Sequence, residues 1–183
     1  MNKRLFIAIP LSKTILKELQ KFQASHNQKA INWLPRKNLH ITVLFLGQVS
    51  FRKVAKVIYK LEPLLTKLKQ LKLKPERIIL YPKKNPRMIW LKFENNYEAY
   101  RQLVKQVSQC LKGTVRISQS RRKITPHITL GRIRNKPELI KKAKLEKNLS
   151  QAETMVIKQV VLYHSELTAQ GSTYEALCKF PLE

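Results

Sequence analysis

The chain has 183 residues, and its 37 Lys and Arg against 11 acidic residues give a formal net charge of +26 at pH 7. All the acidic residues are Glu, and the absence of Asp excludes Asp-dependent catalytic triads, EF-hand loops and Asp-rich sites for catalytic Mg²⁺. Two cysteines, Cys110 and Cys178, cannot form a Cys₄ zinc site or a disulfide framework, so we expect a reduced, cytoplasmic setting.

This length suits a single domain, and the charge makes nucleic acid the first candidate partner and an anionic membrane surface the second. A general bias towards lysine explains much of the charge equally well. The N-terminal apolar run of about six residues is too short for a signal peptide or a membrane span, so we expect no membrane association.

The predicted elements mix strands and helices. Hydrophobic runs predict strands at residues 4–9, 39–46, 71–74, 77–81, 87–93, 127–133, 155–163 and 173–180. Apolar side chains at helical spacing predict helices that begin after the N-caps Ser12 and Ser50, a third around residues 100–111 and a short fourth at 137–147. No regular βαβ alternation and no glycine-rich phosphate loop occurs, so the predicted class is α+β with mostly antiparallel sheets.

A repeated tripeptide is the most informative feature of the sequence. His40-Ile41-Thr42 and His127-Ile128-Thr129 are identical, lie 87 residues apart and both begin predicted strands. Because residues i and i+2 of a strand share a face, each copy presents an imidazole and a hydroxyl together, with its Ile turned to the core. If the two strands face each other across a cleft, the site holds two His and two Thr.

Such a set suits the cleavage of a phosphodiester without a metal. One His can deprotonate the nucleophile and the other can protonate the leaving oxygen, because their ordinary pKa lies near 6.5. The hydroxyls of Thr42 and Thr129 can hold the phosphoryl oxygens. We expect the surrounding Lys and Arg to lower the pKa of both His, which favours the neutral base.

Each copy alone would be read as a structural pair, and it is their repetition that favours a catalytic role. The other histidines, His26 and His164, have no such neighbours, and His26 is assigned to the structure or the surface. A zinc site made of His40, His127 and a cysteine is not supported by any paired spacing, so we expect no metal and no cofactor.

At this point the sequence resembles a known family, the bacterial and archaeal RNA 2′,3′-cyclic phosphodiesterases of the two-histidine phosphoesterase superfamily, also described as 2′-5′ RNA ligases. The segments that carry the resemblance span nearly the whole chain. They are RLFIAI, NLHITVLFLG, PRMIWLKF, TPHITLGR and LYHSELTAQGSTYEAL. The paired motifs within this context are specific, whereas either motif alone is not.

The resemblance implies one bilobal domain over residues 1–183, whose two lobes are related by a pseudo-two-fold axis. Each lobe would be a mostly antiparallel sheet with helices packed outside, and a groove would lie between the lobes. It implies metal-free hydrolysis of an RNA 2′,3′-cyclic phosphate end to a 2′-phosphate. His40 then resembles the proton donor to the 3′-oxygen, and His127 resembles the base that activates water. Thr42 and Thr129 would bind the phosphate.

The resemblance also nominates residues for the RNA end. Arg132 matches the family's basic residue near the phosphate. Arg121, Arg122 and Lys123 would contribute charge at the RNA end, because Ile124 stands where the family often has a stacking aromatic side chain. Exposed arginines on a basic strand and a solvated loop are the alternative readings of these four residues.

Two other functions remain open from the sequence. One is a non-catalytic, basic RNA-binding module of the same fold, and the other is reversible 2′-5′ RNA ligation. The expected partner in each case is RNA, such as tRNA fragments, and the expected state is a monomer.

Overall fold

The computed structural model describes residues 2–26, 28–117, 124–134, 145–149, 151–169 and 171–183. Within these ranges the chain forms strands and three α-helices. The strands are β1 (Asn2–Pro10), β2 (Ile31–Trp33), β3 (His40–Ser50), β4 (Leu71–Leu73), β5 (Pro75–Tyr81), β6 (Met88–Phe93), β7 (His127–Ile133), β8 (Lys147–Asn148), β9 (Met155–Ile157), β10 (Gln159–Thr168) and β11 (Gly171–Pro181). The helices are α1 (Lys13–Ser25), α2 (Val54–Leu65) and α3 (Glu98–Leu111).

Nine of these strands form one sheet in the order β11-β10-β1-β3-β7-β6-β5-β8, with β2 on the free part of β7. A separate two-stranded sheet pairs β4 with β9. Every pair among the described strands is antiparallel, which confirms the predicted α+β class.

One face of the main sheet is apolar and packs with the helices into a single core. In β6, Ile89, Leu91 and Phe93 are fully buried, while the residues between them are half-buried on the other face. The helices contribute apolar side chains that recur at helical spacing, such as Val57 and Leu61 of α2. The alternation of the strands therefore leaves the second face of the sheet available for polar groups.

Hydrogen bonds from the helices hold the strands that carry the repeated motifs. The hydroxyl of Tyr100 in α3 donates to the backbone carbonyl of Thr42 in β3. The side-chain amide of Gln23 in α1 donates to the carbonyl of Leu130 in β7 at 3.0 Å. The two helices thus fix the positions of β3 and β7 relative to the core.

The predicted helix caps have opposite outcomes. Ser12 caps α1 as predicted, since its hydroxyl accepts a hydrogen bond from the N–H of Ile15 at 3.3 Å. The prediction for Ser50 is wrong, because Ser50 ends β3 and its side chain makes no capping bond. A 3₁₀ turn at Phe51–Lys53 follows Ser50, and α2 begins only after this turn.

The predicted strand at 155–163 is two strands that belong to different sheets. β9 pairs with β4, and β10 pairs with β1 and β11. The polar pair Lys158-Gln159 divides the hydrophobic run where the chain passes from one sheet to the other. Most of the predicted helix at 137–147 lies outside the described residues, and at its end Lys147 belongs to β8 rather than to a helix. The division into two lobes stays a prediction.

The structure adds one observation about membranes. In the described ranges, no helix has the length and apolar character needed to cross a bilayer.

We predict that Gly131→Ala destabilises the fold. A Cβ at Gly131 would lie 2.8 Å from Cε3 of Trp33, whose ring is held by a hydrogen bond from Nε1–H to the carbonyl of His26. Crowding of this kind typically costs about 1–3 kcal/mol, measurable by urea unfolding. In a Trp33→Leu background the same substitution should cost clearly less, and an equal cost in both backgrounds would contradict the steric account.

Candidate active site

The two repeated motifs meet where β3 and β7 pair through one residue pair, Ile41 with Ile128. Both Ile side chains are fully buried, as the alternation predicted. In an antiparallel pair the flanking residues oppose each other, so His40 lies opposite Thr129 and Thr42 lies opposite His127. The structure therefore brings all four predicted residues to one face of the sheet, in a square of alternating imidazoles and hydroxyls.

Each imidazole is held by the same kind of bond to the chain before its strand. His40 donates from Nδ1 to the carbonyl of Asn38 at 2.8 Å, and His127 donates from Nδ1 to the carbonyl of Thr125 at 3.0 Å. A carbonyl only accepts, so Nδ1 must carry the proton in both rings. Nε2 of each neutral ring is consequently the basic nitrogen.

The two Nε2 atoms differ in their surroundings. Nε2 of His40 accepts a hydrogen bond from the hydroxyl of Thr42 at 3.1 Å. Nε2 of His127 has no hydrogen-bond partner among the residues that the structure describes. In the free protein His127 is therefore the imidazole whose lone pair is open to a water molecule.

Aromatic rings cover both imidazoles. Trp90 of β6 stacks on the ring of His127, with centroids 3.8 Å apart and an angle of 22° between the planes. Tyr81 of β5 in turn stacks on the ring of Trp90, with the two centroids 3.6 Å apart. On the opposite side, Phe6 of β1 and Tyr174 of β11 contact His40 at centroid distances of 5.0 and 5.4 Å.

Sequence reasoning missed these four aromatic residues. The only local signal was that Trp90 alternates with the core residues of β6, which places it on the polar face. Nothing in the sequence pairs Trp90 with His127 or Phe6 with His40, because they come from strands that are distant in the chain.

Burial lowers the pKa of both imidazoles. The pKa of His40 falls from 6.5 to about 4, because desolvation and the nearby His127 outweigh the opposing hydrogen bond to the Asn38 carbonyl. The pKa of His127 is also lowered by desolvation, against the opposing bond to Thr125. The expected direction is confirmed, but burial, rather than the field of Lys and Arg, is the main cause. Both rings are neutral near pH 7.

Arg132 reaches the same face through a β-bulge. A residue five positions after His127 would point to the opposite face of a regular strand. The register of β6 and β7 shifts between Ile89 and Trp90, so that Trp90 pairs with Thr129 and Met88 pairs with Arg132. Leu130 is the extra residue, and Arg132 consequently shares the face of Thr129.

Of the remaining candidate residues, only His26 and His164 are described, and neither belongs to this site. Arg121, Arg122 and Lys123 fall outside the described residues. His26 ends α1, where its ring bonds to the carbonyl of Phe22 at 2.7 Å, and His164 is buried in β10 with Nδ1 3.5 Å from the carboxylate of Glu175. In the described part of the chain, no group of three or more His, Cys or Glu side chains is placed to hold a metal ion.

Comparison with known proteins finds related phosphoesterases. A family model for LigT like phosphoesterases matches residues 9–90. A protein of Methanocaldococcus jannaschii named RNA 2′,3′-cyclic phosphodiesterase is 32% identical over 178 residues, which cover 95% of this chain and 98% of that protein. A Thermotoga maritima protein of the same name is 25% identical, with 97% of this chain and 95% of that protein covered.

Solved structures share the fold over nearly the whole chain. A Thermus thermophilus protein superposes with a TM-score of 0.83 at 23% identity, covering 97% of both chains. Escherichia coli LigT in complex with 3′-AMP gives a TM-score of 0.81 at 24% identity, covering 100% of this chain and 99% of the other. The fold is thus that of the LigT-like phosphoesterases.

Together, the family model and the archaeal relative establish the class. The chain belongs to the LigT-like phosphoesterase family. It is an enzyme of the hydrolase class that acts on phosphate esters.

We predict that both His40 and His127 are neutral Nδ1–H tautomers at pH 7. Nitrogen-15 NMR of the imidazoles distinguishes this tautomer from the Nε2–H form, and His40→Asn and His127→Asn variants assign the signals. The ring of His40 should titrate near pH 4. A charged ring at pH 7, or an Nε2–H tautomer in either His, would contradict the account of the site.

Proposed function

We propose that this protein hydrolyses 2′,3′-cyclic phosphate ends of RNA to 2′-phosphates without a metal ion. The observation that carries the proposal is the pairing of Ile41 with Ile128, which brings two imidazoles and two hydroxyls to one face. The relatives named RNA 2′,3′-cyclic phosphodiesterase support the choice of substrate. Both motifs come from one chain, so a monomer has the complete set of groups, and RNA ends such as those of tRNA fragments are suitable substrates.

The proposed roles follow from the two Nε2 atoms. Neutral His127 takes a proton from a water molecule, whose oxygen attacks the phosphorus. The bond from phosphorus to the 3′-oxygen breaks, and His40, in its charged form, donates a proton from Nε2 to that oxygen. The product carries a 2′-phosphate and a 3′-hydroxyl, and exchange of one proton with solvent at each ring restores the starting state.

Thr42 and Thr129 hold the phosphate during this step. Their hydroxyls flank the imidazoles and can donate to the two non-bridging oxygens, where negative charge is greatest in the transition state. For this, the hydroxyl of Thr42 must release Nε2 of His40, to which it donates in the free protein. Binding of the phosphate exchanges one acceptor for another and frees Nε2 of His40 for the leaving oxygen.

The negative charge of the substrate stabilises the protonated form of His40, which is the form that can act as the acid. His40 is neutral in the free protein near pH 7, because its pKa is about 4. A phosphodiester carries a negative charge, which raises the pKa of an adjacent imidazole. Binding of the substrate therefore recruits a proton to His40.

The main test is hydrolysis by chelator-treated protein of an oligonucleotide that ends in a 2′,3′-cyclic phosphate. The wild type should release a 2′-phosphate, and His40→Ala and His127→Ala should each lower kcat by roughly 10²–10⁴-fold. Binding of RNA, to which the basic residues outside the motifs contribute, should stay nearly intact in both variants. His26→Gln, at a histidine outside the site, is the matched control and should keep the wild-type rate.

Other outcomes would contradict particular parts of the proposal. A 3′-phosphate product would show that the bond from phosphorus to the 2′-oxygen breaks instead. Loss of activity after chelation would contradict the metal-free mechanism. Salt-dependent RNA binding without turnover would indicate a binding module instead. Joining of the cyclic end to a 5′-hydroxyl end, in preference to hydrolysis, would indicate a ligase.

We predict an acidic optimum for kcat/KM, which reports the free enzyme. The rate falls on the acid side as both rings become charged and on the alkaline side as both become neutral, so the maximum should lie between about pH 4 and 6.5. The maximum of kcat should lie at higher pH, because the bound phosphate raises both pKa values. A kcat/KM maximum above pH 7 would contradict the burial of the two imidazoles.

A further inference from the structure

Next to the site is an open cavity of about 620 Å³, where β6 begins and β7 ends. Three of its seven lining residues are arginines, and none is a lysine. These are Arg87, Arg132 and Arg134. We call this cavity the arginine pocket.

The composition of the arginine pocket is not explained by the general charge of the chain. The whole sequence has 26 Lys and 11 Arg, so a cavity lined by chance would contain mostly lysine. Arginine binds phosphate through a planar fork of N–H donors, whereas lysine offers a single ammonium group. Within the described ranges, the ion pairs involve other residues, so no carboxylate neutralises these three guanidinium groups.

The pocket continues outward from the four reactive groups along one strand. Thr129 pairs with Trp90, and Arg132 pairs with Met88, which lies two residues earlier in β6 and so about 7 Å along the strand. Arg134 lies two residues further along the chain, and the carbonyl of Arg87 accepts a hydrogen bond from the N–H of Ile133 between them. A ligand that occupies both the site and the pocket therefore needs a second anionic group beyond the first.

In the proposed substrate, the anionic group nearest to the cyclic phosphate lies on the 5′ side of the terminal nucleotide. The cyclic phosphate is the 3′ end of the RNA, so the rest of the chain leaves the site from the 5′ side of the terminal ribose. The next anionic group along it is the internucleotide phosphate.

We propose that the arginine pocket binds the internucleotide phosphate on the 5′ side of the terminal nucleotide, and that the enzyme thereby selects RNA ends over mononucleoside cyclic phosphates. This inference rests on the proposed function. Arg132 serves both the site and the pocket, because it lies between them. Arg87 and Arg134 lie farther from the imidazoles and distinguish the longer substrate.

The test compares two dinucleotides that end in the same 2′,3′-cyclic phosphate. One has the natural phosphodiester between its nucleosides, and the other has an uncharged methylphosphonate. The ratio of their kcat/KM values measures the contribution of the internal charge. An inactive, misfolded fraction of the protein lowers both values by the same factor and so leaves the ratio unchanged. The wild type should prefer the charged linkage by roughly tenfold, which corresponds to about 1.4 kcal/mol.

Arg87→Gln and Arg134→Gln should each lower this ratio severalfold, and Arg134→Lys should restore part of it. Arg52→Gln, which removes an exposed arginine outside the pocket, is the matched control and should leave the ratio as in the wild type. For a single-stranded oligonucleotide with a 2′-phosphate end, each pocket variant should also reduce the slope of log K against log salt by about 0.7.

The outcomes separate this inference from the proposed function. Hydrolysis of both dinucleotides by the wild type at equal kcat/KM would overturn the inference and leave the proposed function standing. A wild-type preference that neither pocket variant reduces would also overturn it, since another part of the protein would then hold the internal phosphate. Failure of the wild type to hydrolyse either dinucleotide would overturn the proposed function itself.

Discussion

The pairing of Ile41 with Ile128 is the contact on which the rest of the structure depends. It joins the halves of the main sheet through one residue pair, with both side chains in the core. Because side chains alternate along strands, burying the two Ile obliges the residues on either side of them to face outward together. Hydrophobic burial thus sets the relative positions of the two histidines and two threonines of the candidate site.

The same burial determines the protonation of the site. Aromatic rings from β1, β6 and β11 cover the imidazoles, and the resulting desolvation lowers the pKa of both. A neutral His127, whose Nε2 has no hydrogen-bond partner in the described part of the chain, is suited to accept a proton. A neutral His40 is unsuited to donate one until a phosphate anion lies beside it. The negative charge of the ligand is therefore needed to bring His40 into its protonated form.

The two histidines and two threonines of the candidate site could be found in the sequence because they obey a local rule. The repeat of His-x-Thr, the period of two in a strand and the buried Ile between them predict which side chains share a face. The register between β3 and β7 could not be found, since it joins residues 87 positions apart in the sequence. The bulge at Leu130 was equally hidden, and without it Arg132 would point to the wrong face. Its register shift follows from pairing with β6, and hydrogen bonds from Gln23 and the N–H of Leu34 satisfy the Leu130 carbonyl.

The most direct test of the central claim is a crystal structure of the protein with a nucleoside 2′-phosphate bound. The account predicts that the phosphate lies between the motifs, with its oxygens about 2.6–3.2 Å from Nε2 of both His40 and His127. The hydroxyls of Thr42 and Thr129 should both donate to it. A phosphate that contacts only one of the two motifs, or that binds away from the pairing of Ile41 with Ile128, would contradict the account.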